Sequence, residues 1–161
     1  MAATGQTQNR MISDFADCKS LIIGIGNSGR SDDGLGWAFS ESVEESELYR
    51  GDIVLRYQLQ IEDADLISAY DQVLFVDAHS GRVDRGMRCE LVDPHIEHSY
   101  STHALLPGAI VGLCKELYDA TPKAYILMIE GHEWDLKIGL SEIAQTNLSR
   151  ALQYFQEEIN Q

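Results

Sequence analysis

Positive charge is scarce in this chain: Lys and Arg together number 12 against 26 Asp and Glu, for a net charge of −14 over 161 residues. No Lys/Arg block interrupts that acidity, so phosphate backbones and anionic membranes would be repelled, which argues against nucleic acid and membrane as partners. The acidity serves solubility and also suits a basic partner surface. Cysteine is sparse too. Cys18, Cys89 and Cys114 are odd in number and stand at no C-x-x-C or finger spacing, which points to neither a disulfide framework nor a zinc knuckle and fits a reducing compartment. Residues 1–19 contain no apolar core of the signal-peptide kind, and no apolar run elsewhere is long enough to cross a bilayer. A cytoplasmic protein is therefore expected. Also missing are a G-x-S-x-G elbow, an H-E-x-x-H helix and a P-loop, so the common serine hydrolase, zincin and nucleotide hydrolase routes lack their machinery.

What is present is enough for one folded domain. A hydrophobic fraction of 44% in well-defined runs argues against disorder. A chain of this length buries roughly two thirds of the surface it exposes when unfolded. Residues 1–19 read as a flexible N-terminal extension and residues 20–161 as a single domain. From Ser20, the run Leu21-Ile22-Ile23-Gly24-Ile25 is too short for a helix and apolar throughout, as a buried parallel strand is. A loop rich in Gly, Asn, Ser and Asp follows, from Gly26 to Gly34, and then a helical stretch to about Tyr49. The alternation continues with a strand at 53–57, a short helix at 62–70 and a buried strand at 72–77 that ends on Asp77. Beyond it come a weaker strand at 86–92, a His-containing loop at 94–100, a helix at 105–118, a strand at 123–130 and a last helix from about Leu140 to Ile159. Strand alternating with helix predicts an α/β fold built on a mostly parallel sheet of about five strands flanked by helices.

In such sheets ligands gather beyond the carboxyl ends of the strands. Asp33, in the loop after the first strand, and Asp77, preceded by four apolar residues, both occupy that region. A carboxylate there is costly to desolvate unless a cation or hydrogen-bond donors compensate. His103, in Ser99-Tyr100-Ser101-Thr102-His103, is the third candidate. Two carboxylates and an imidazole suit a divalent transition metal with coordination positions left open. Each residue also has a structural reading: Asp33 as an N-cap or first-turn acid, Asp77 as a strand-end cap, His103 as a first-turn residue bonded to backbone. His79, His95, His98 and His132 read as solvated loop residues, with His79, close to Asp77, and Glu62 as further ligand candidates. The G-x-G-x-x-G of Gly24 to Gly29 nominally matches a dinucleotide fingerprint, but the acidic Asp32-Asp33 pair stands where a phosphate cradle needs a helix start free of negative charge.

Taken in order, these motifs resemble the NiFe-hydrogenase maturation endopeptidases. The resemblance runs through Gly24-Ile25-Gly26-Asn27 and Asp32-Asp33-Gly34-Leu35-Gly36, through Tyr57-Gln58-Leu59 with Glu62, Phe75-Val76-Asp77-Ala78 and Ser101-Thr102-His103, and on to Gly131-His132-Glu133 with Gly139-Leu140-Ser141. It spans nearly everything after Ser20. One departure is His132-Glu133-Trp134, where many members carry a Pro-containing segment. The resemblance implies a three-layer, phosphorylase/hydrolase-like sandwich with residues 20–161 as the protease domain. It further implies removal of a C-terminal extension from the hydrogenase large-subunit precursor after nickel insertion, with Asp33, Asp77 and His103 recognising nickel carried by the substrate and Asp33 and Asp77 as the catalytic acids. Tyr57-Gln58-Leu59 is similar to the branch serving soluble, cofactor-reducing hydrogenases. Two other readings stand beside it: a non-catalytic nickel-sensing chaperone of the large subunit, and a nucleotide-type binder suggested by the glycine-rich loop.

Overall fold

Six consecutive buried positions make Ser20–Ile25 (β1) the centre of a sheet, since only a strand covered on both faces can be apolar at every residue. The computed structural model describes Ile12, Phe15 and residues 19–95 and 105–160. After β1 come helix α1 (Leu35–Ser46), strand β2 (Asp52–Arg56), helix α2 (Asp63–Ile67), strand β3 (Gln72–His79), strand β4 (Met87–Leu91), helix α3 (Pro107–Tyr118), strand β5 (Lys123–Glu130) and helix α4 (Glu142–Ile159). The sheet order is β2-β1-β3-β5-β4. The pairs β1/β2, β1/β3 and β3/β5 are parallel, and only the edge strand β4 runs antiparallel, against β5. This is the α/β architecture expected from the sequence.

Alternation along the strands divides the core in two. Ile22, Leu74, Val76, Leu127 and Ile129 face α1 and α4, whereas Leu21, Ile23, Ile25, Val73 and Phe75 face α2 and α3. The first layer closes on an aromatic cluster. Phe155 of α4 lies edge-on to Phe39, Tyr49 and Phe15, with ring centroids 5.5, 5.8 and 6.2 Å away. Phe15 and the fully buried Ile12 belong to the stretch read as an N-terminal extension, most of which lies outside the described residues. Both are core residues, contributing the area of a large side chain each.

Two boundaries differ from the sequence reading for local reasons. Strand β3 continues two residues past Asp77, because Ala78 and His79 go on pairing with Ile129 and Glu130 of β5. Helix α1 stops at Ser46, where Glu47 turns into the left-handed region at φ 58°. Helix α4 starts cleanly because Ser141 is its N-cap and its side chain accepts a hydrogen bond from the Ala144 N–H. Among the described residues no helix is long and apolar enough to cross a membrane.

Because Phe155 joins α4 to α1, to Tyr49 and to the Ile12–Phe15 stretch, Phe155→Ala should lower the free energy of unfolding by about 3–5 kcal/mol, the cost typical of a large aromatic deleted from a core. Urea denaturation of the two proteins measures it, and a loss well under 1 kcal/mol would show that the cluster is not cohesive.

Candidate functional site

The loop after β1 is shaped by close approaches that only glycine permits. A β-carbon on Gly36 would collide with the carbonyl oxygens of Ile25 and Val76, so Gly36 lets the first turn of α1 sit against the ends of β1 and β3. Gly26, at φ +145°, turns the chain out of the sheet while its N–H donates to the Arg56 carbonyl at 2.9 Å. Asn27 closes the loop on itself: its N–H donates to the Asp33 carbonyl at 3.0 Å, and its side-chain oxygen accepts from the Gly29 N–H at 2.9 Å. The residues Ser31–Gly34 then form a single 3-10 turn. The glycines that mimic a dinucleotide fingerprint thus serve packing and the turn.

Within that turn the two adjacent acids face different surroundings. Asp32 is fully buried. Its Oδ2 accepts from the His132 N–H at 2.7 Å, the Glu133 N–H at 2.9 Å and the Ser141 hydroxyl at 2.7 Å, and its Oδ1 accepts from the Ser141 N–H at 2.8 Å. Burial by itself would raise the Asp32 pKa, but the backbone donors of His132, Ser141 and Glu133, with the Ser141 hydroxyl, hold it below the ordinary carboxylate value. Asp33 is only partly buried, and no described residue donates a hydrogen bond to its carboxylate. Its pKa is raised by burial, with the Arg30 charge opposing. It is not a helix cap: the N-cap position of α1 is Gly34.

Asp77 lies in β3, the strand next to β1. Burial pushes its pKa up from 3.8 to about 7, the Ala78 N–H opposes that rise, and the neighbouring charge of Asp33 adds to it. The parallel pairing of β1 with β3 therefore brings Asp33 and Asp77 close enough to feel each other's charge at the carboxyl end of the sheet. Two under-solvated carboxylates in one place hold a proton between them or await a cation.

His103, the third candidate, lies outside the described residues, as does His98. Among the described residues no group of three or more His, Cys, Asp and Glu side chains is placed to hold a metal ion. His79 ends β3 and is exposed. His132 is tied to Glu130 at 2.6 Å. His95 sits against α3, its N–H donating to the Gly108 carbonyl at 3.1 Å. Glu62 is exposed at the start of α2, where its carbonyl accepts from the Asp65 and Leu66 N–H groups. Asp32 is the important residue that sequence reasoning did not separate from its neighbour. The signal available was the doubled acid itself, since two adjacent side chains in one turn cannot share an environment.

No protein-family model matches the sequence, and no curated protein matches it. Solved structures do. The maturation protease HycI from Thermococcus kodakarensis superposes with a TM-score of 0.68 at 23% identity, covering 93% of this chain and 99% of that one. The chain has the fold of the NiFe-hydrogenase maturation proteases. The maturating endopeptidase HybD from Escherichia coli agrees, with a TM-score of 0.61 at 17% identity over 85% of this chain and 89% of its own. An uncharacterized protein from Wolinella succinogenes is 27% identical, with a TM-score of 0.57 over 87% of this chain and 95% of that one. The sequence resemblance and the fold thus point to one family over nearly the whole chain.

Asp77 also makes a testable mark on stability. Its native pKa of about 7 lies above its ordinary 3.8, so the folded chain keeps a proton that the unfolded chain releases. The stability it contributes is complete below about pH 4 and is lost as pH rises through 7. Asp77→Asn, neutral throughout, should gain stability relative to the parent between pH 4 and pH 8, on the order of 1–2 kcal/mol once solvent screening is allowed for. Urea melts at the two pH values read it; a constant difference would mean that Asp77 ionises normally.

Proposed function

We propose that this chain is an endopeptidase that removes a C-terminal extension from a NiFe-hydrogenase large-subunit precursor once nickel has been inserted, and that it acts in the cytoplasm. The observation that carries this is the pair Asp33 and Asp77, mutually coupled and short of hydrogen-bond donors, at the carboxyl end of the sheet in a maturation-protease fold. A carboxylate pair left in that state gains most from a cation brought to it. In this reading the cation is the nickel of the substrate, bound on one side by soft groups of the precursor and on the other by Asp33, Asp77 and His103. The nickel reports that insertion is finished, because without it the two acids lack a counter-charge and the precursor is not engaged.

For the chemistry, the raised pKa of Asp77 suits proton transfer near neutral pH, as general base toward a water or as general acid toward the leaving amine. A substrate metal polarises the scissile carbonyl or the attacking water. This division of labour needs no serine or cysteine nucleophile, consistent with the absence of a nucleophile elbow from the sequence.

Mass spectrometry of the nickel-loaded precursor, incubated with this protein, tests the proposal by the loss of a C-terminal peptide. Asp33→Ala and Asp77→Ala should each slow that cleavage by about 100-fold or more, the scale of a lost acid, base or metal contact. Precursor bound at full length and never shortened would favour the nickel-sensing chaperone, and efficient cleavage by Asp77→Ala would remove Asp77 from the chemistry.

A further inference from the structure

The turn that carries Asp33 is sewn to a segment about a hundred residues away. Besides the four bonds to the Asp32 carboxylate, the Asp32 N–H donates to the Glu133 carbonyl at 2.9 Å, the Ser31 N–H to the Lys137 carbonyl at 2.7 Å, and the Ser31 hydroxyl to the Asp135 carbonyl at 3.0 Å. Ser31 adopts φ 52°, a backbone conformation that serine rarely takes and that its surroundings must hold in place. Gly131 allows the contact, since a β-carbon there would lie 2.8 Å from Asp32 Cβ and 3.0 Å from the Trp134 ring. The segment starts at the end of β5 and finishes at Ser141, the N-cap of α4.

We infer that Asp32 is the positioning residue of the site: its buried carboxylate clamps the Asp33 turn onto the 131–141 segment and so sets where Asp33 stands relative to Asp77. Nothing local does that task. The Asp33 side chain has no hydrogen-bond donor of its own among the described residues, so its place follows from the backbone of the turn. That backbone is held on one side by Asn27 and on the other by the bonds of Asp32 and Ser31. An adjacent acid with four donors is costly to desolvate unless every donor is kept, which makes the clamp rigid. The consequence for catalysis rests on the function proposed above; the coupling of turn and segment does not.

Asp32→Asn is the direct test. Asparagine keeps the shape but has a single acceptor oxygen, so its NH2 group must confront at least the Ser141 N–H. Hydrogen exchange on the full-length protein should show lost protection at the His132, Glu133 and Ser141 amides and at Asn27, which is bonded to the Asp33 carbonyl, while the β1 and β3 amides stay protected. On nickel-loaded precursor, kcat per folded molecule should fall about 10–100-fold, the range seen when a residue that orients a ligand-bearing group is lost. Ser141→Ala, which removes one donor and spares the carboxylate, should show the same exchange pattern in weaker form and decides the matter if Asp32→Asn does not fold. Unchanged protection of the 131–141 amides, or a loosened segment with unchanged kcat, would overturn the inference. A parent protein that cuts no precursor would defeat the proposed function alone, and the exchange pattern at Asn27 would then decide whether the clamp reaches the Asp33 turn.

Discussion

A carboxylate in an apolar interior has to be answered by a counter-charge or by hydrogen-bond donors, and Asp32 is answered entirely by donors. Three of the four are backbone N–H groups, so satisfying the charge means bringing a particular stretch of main chain to it. That requirement draws the end of β5 and the start of α4 onto the loop after β1. Ser141 takes part twice, donating to Asp32 and accepting from the Ala144 N–H, so the same contact that quiets the charge also begins the helix whose Phe155 closes one layer of the core. Interior electrostatics and interior packing are thus coupled through one side chain.

The next residue along the chain is governed by the same physics with the opposite outcome. Asp33 and Asp77 lose solvent without gaining a comparable set of donors, and each charge makes the other harder to form. A fold rarely tolerates such a pair without a use for it, because the unsatisfied carboxylates lower its own stability. The contrast between a saturated acid and an unsaturated one, side by side in a single 3-10 turn, separates support from site more sharply than burial alone.

Much of the framework was legible beforehand. Strands β1, β3 and β5 show up as continuous apolar runs because each is covered on both faces, and β5 spans the residues anticipated for it. Strand β4 reads weakly because it is an edge strand and only half-buried. The extension of β3 through His79 was invisible because it depends on pairing with β5, a partner some fifty residues away. The roles of Ile12 and Phe15 were hidden for a related reason: two isolated apolar residues in a polar stretch carry no periodicity, and only their packing on Phe155 and Tyr49 makes them core.

The sequence by itself determined the order of strands and helices, the parallel character of the sheet and the presence of acids at the strand ends, since these follow from apolar runs, glycine placement and residue type along contiguous stretches. Tertiary structure decided which acid of Asp32-Asp33 is structural and which faces Asp77. The reason is that desolvation and donor supply are set by neighbours distant in the chain, by β3 for Asp33 and by residues 132–141 for Asp32, and no local pattern encodes an environment assembled from such separate segments.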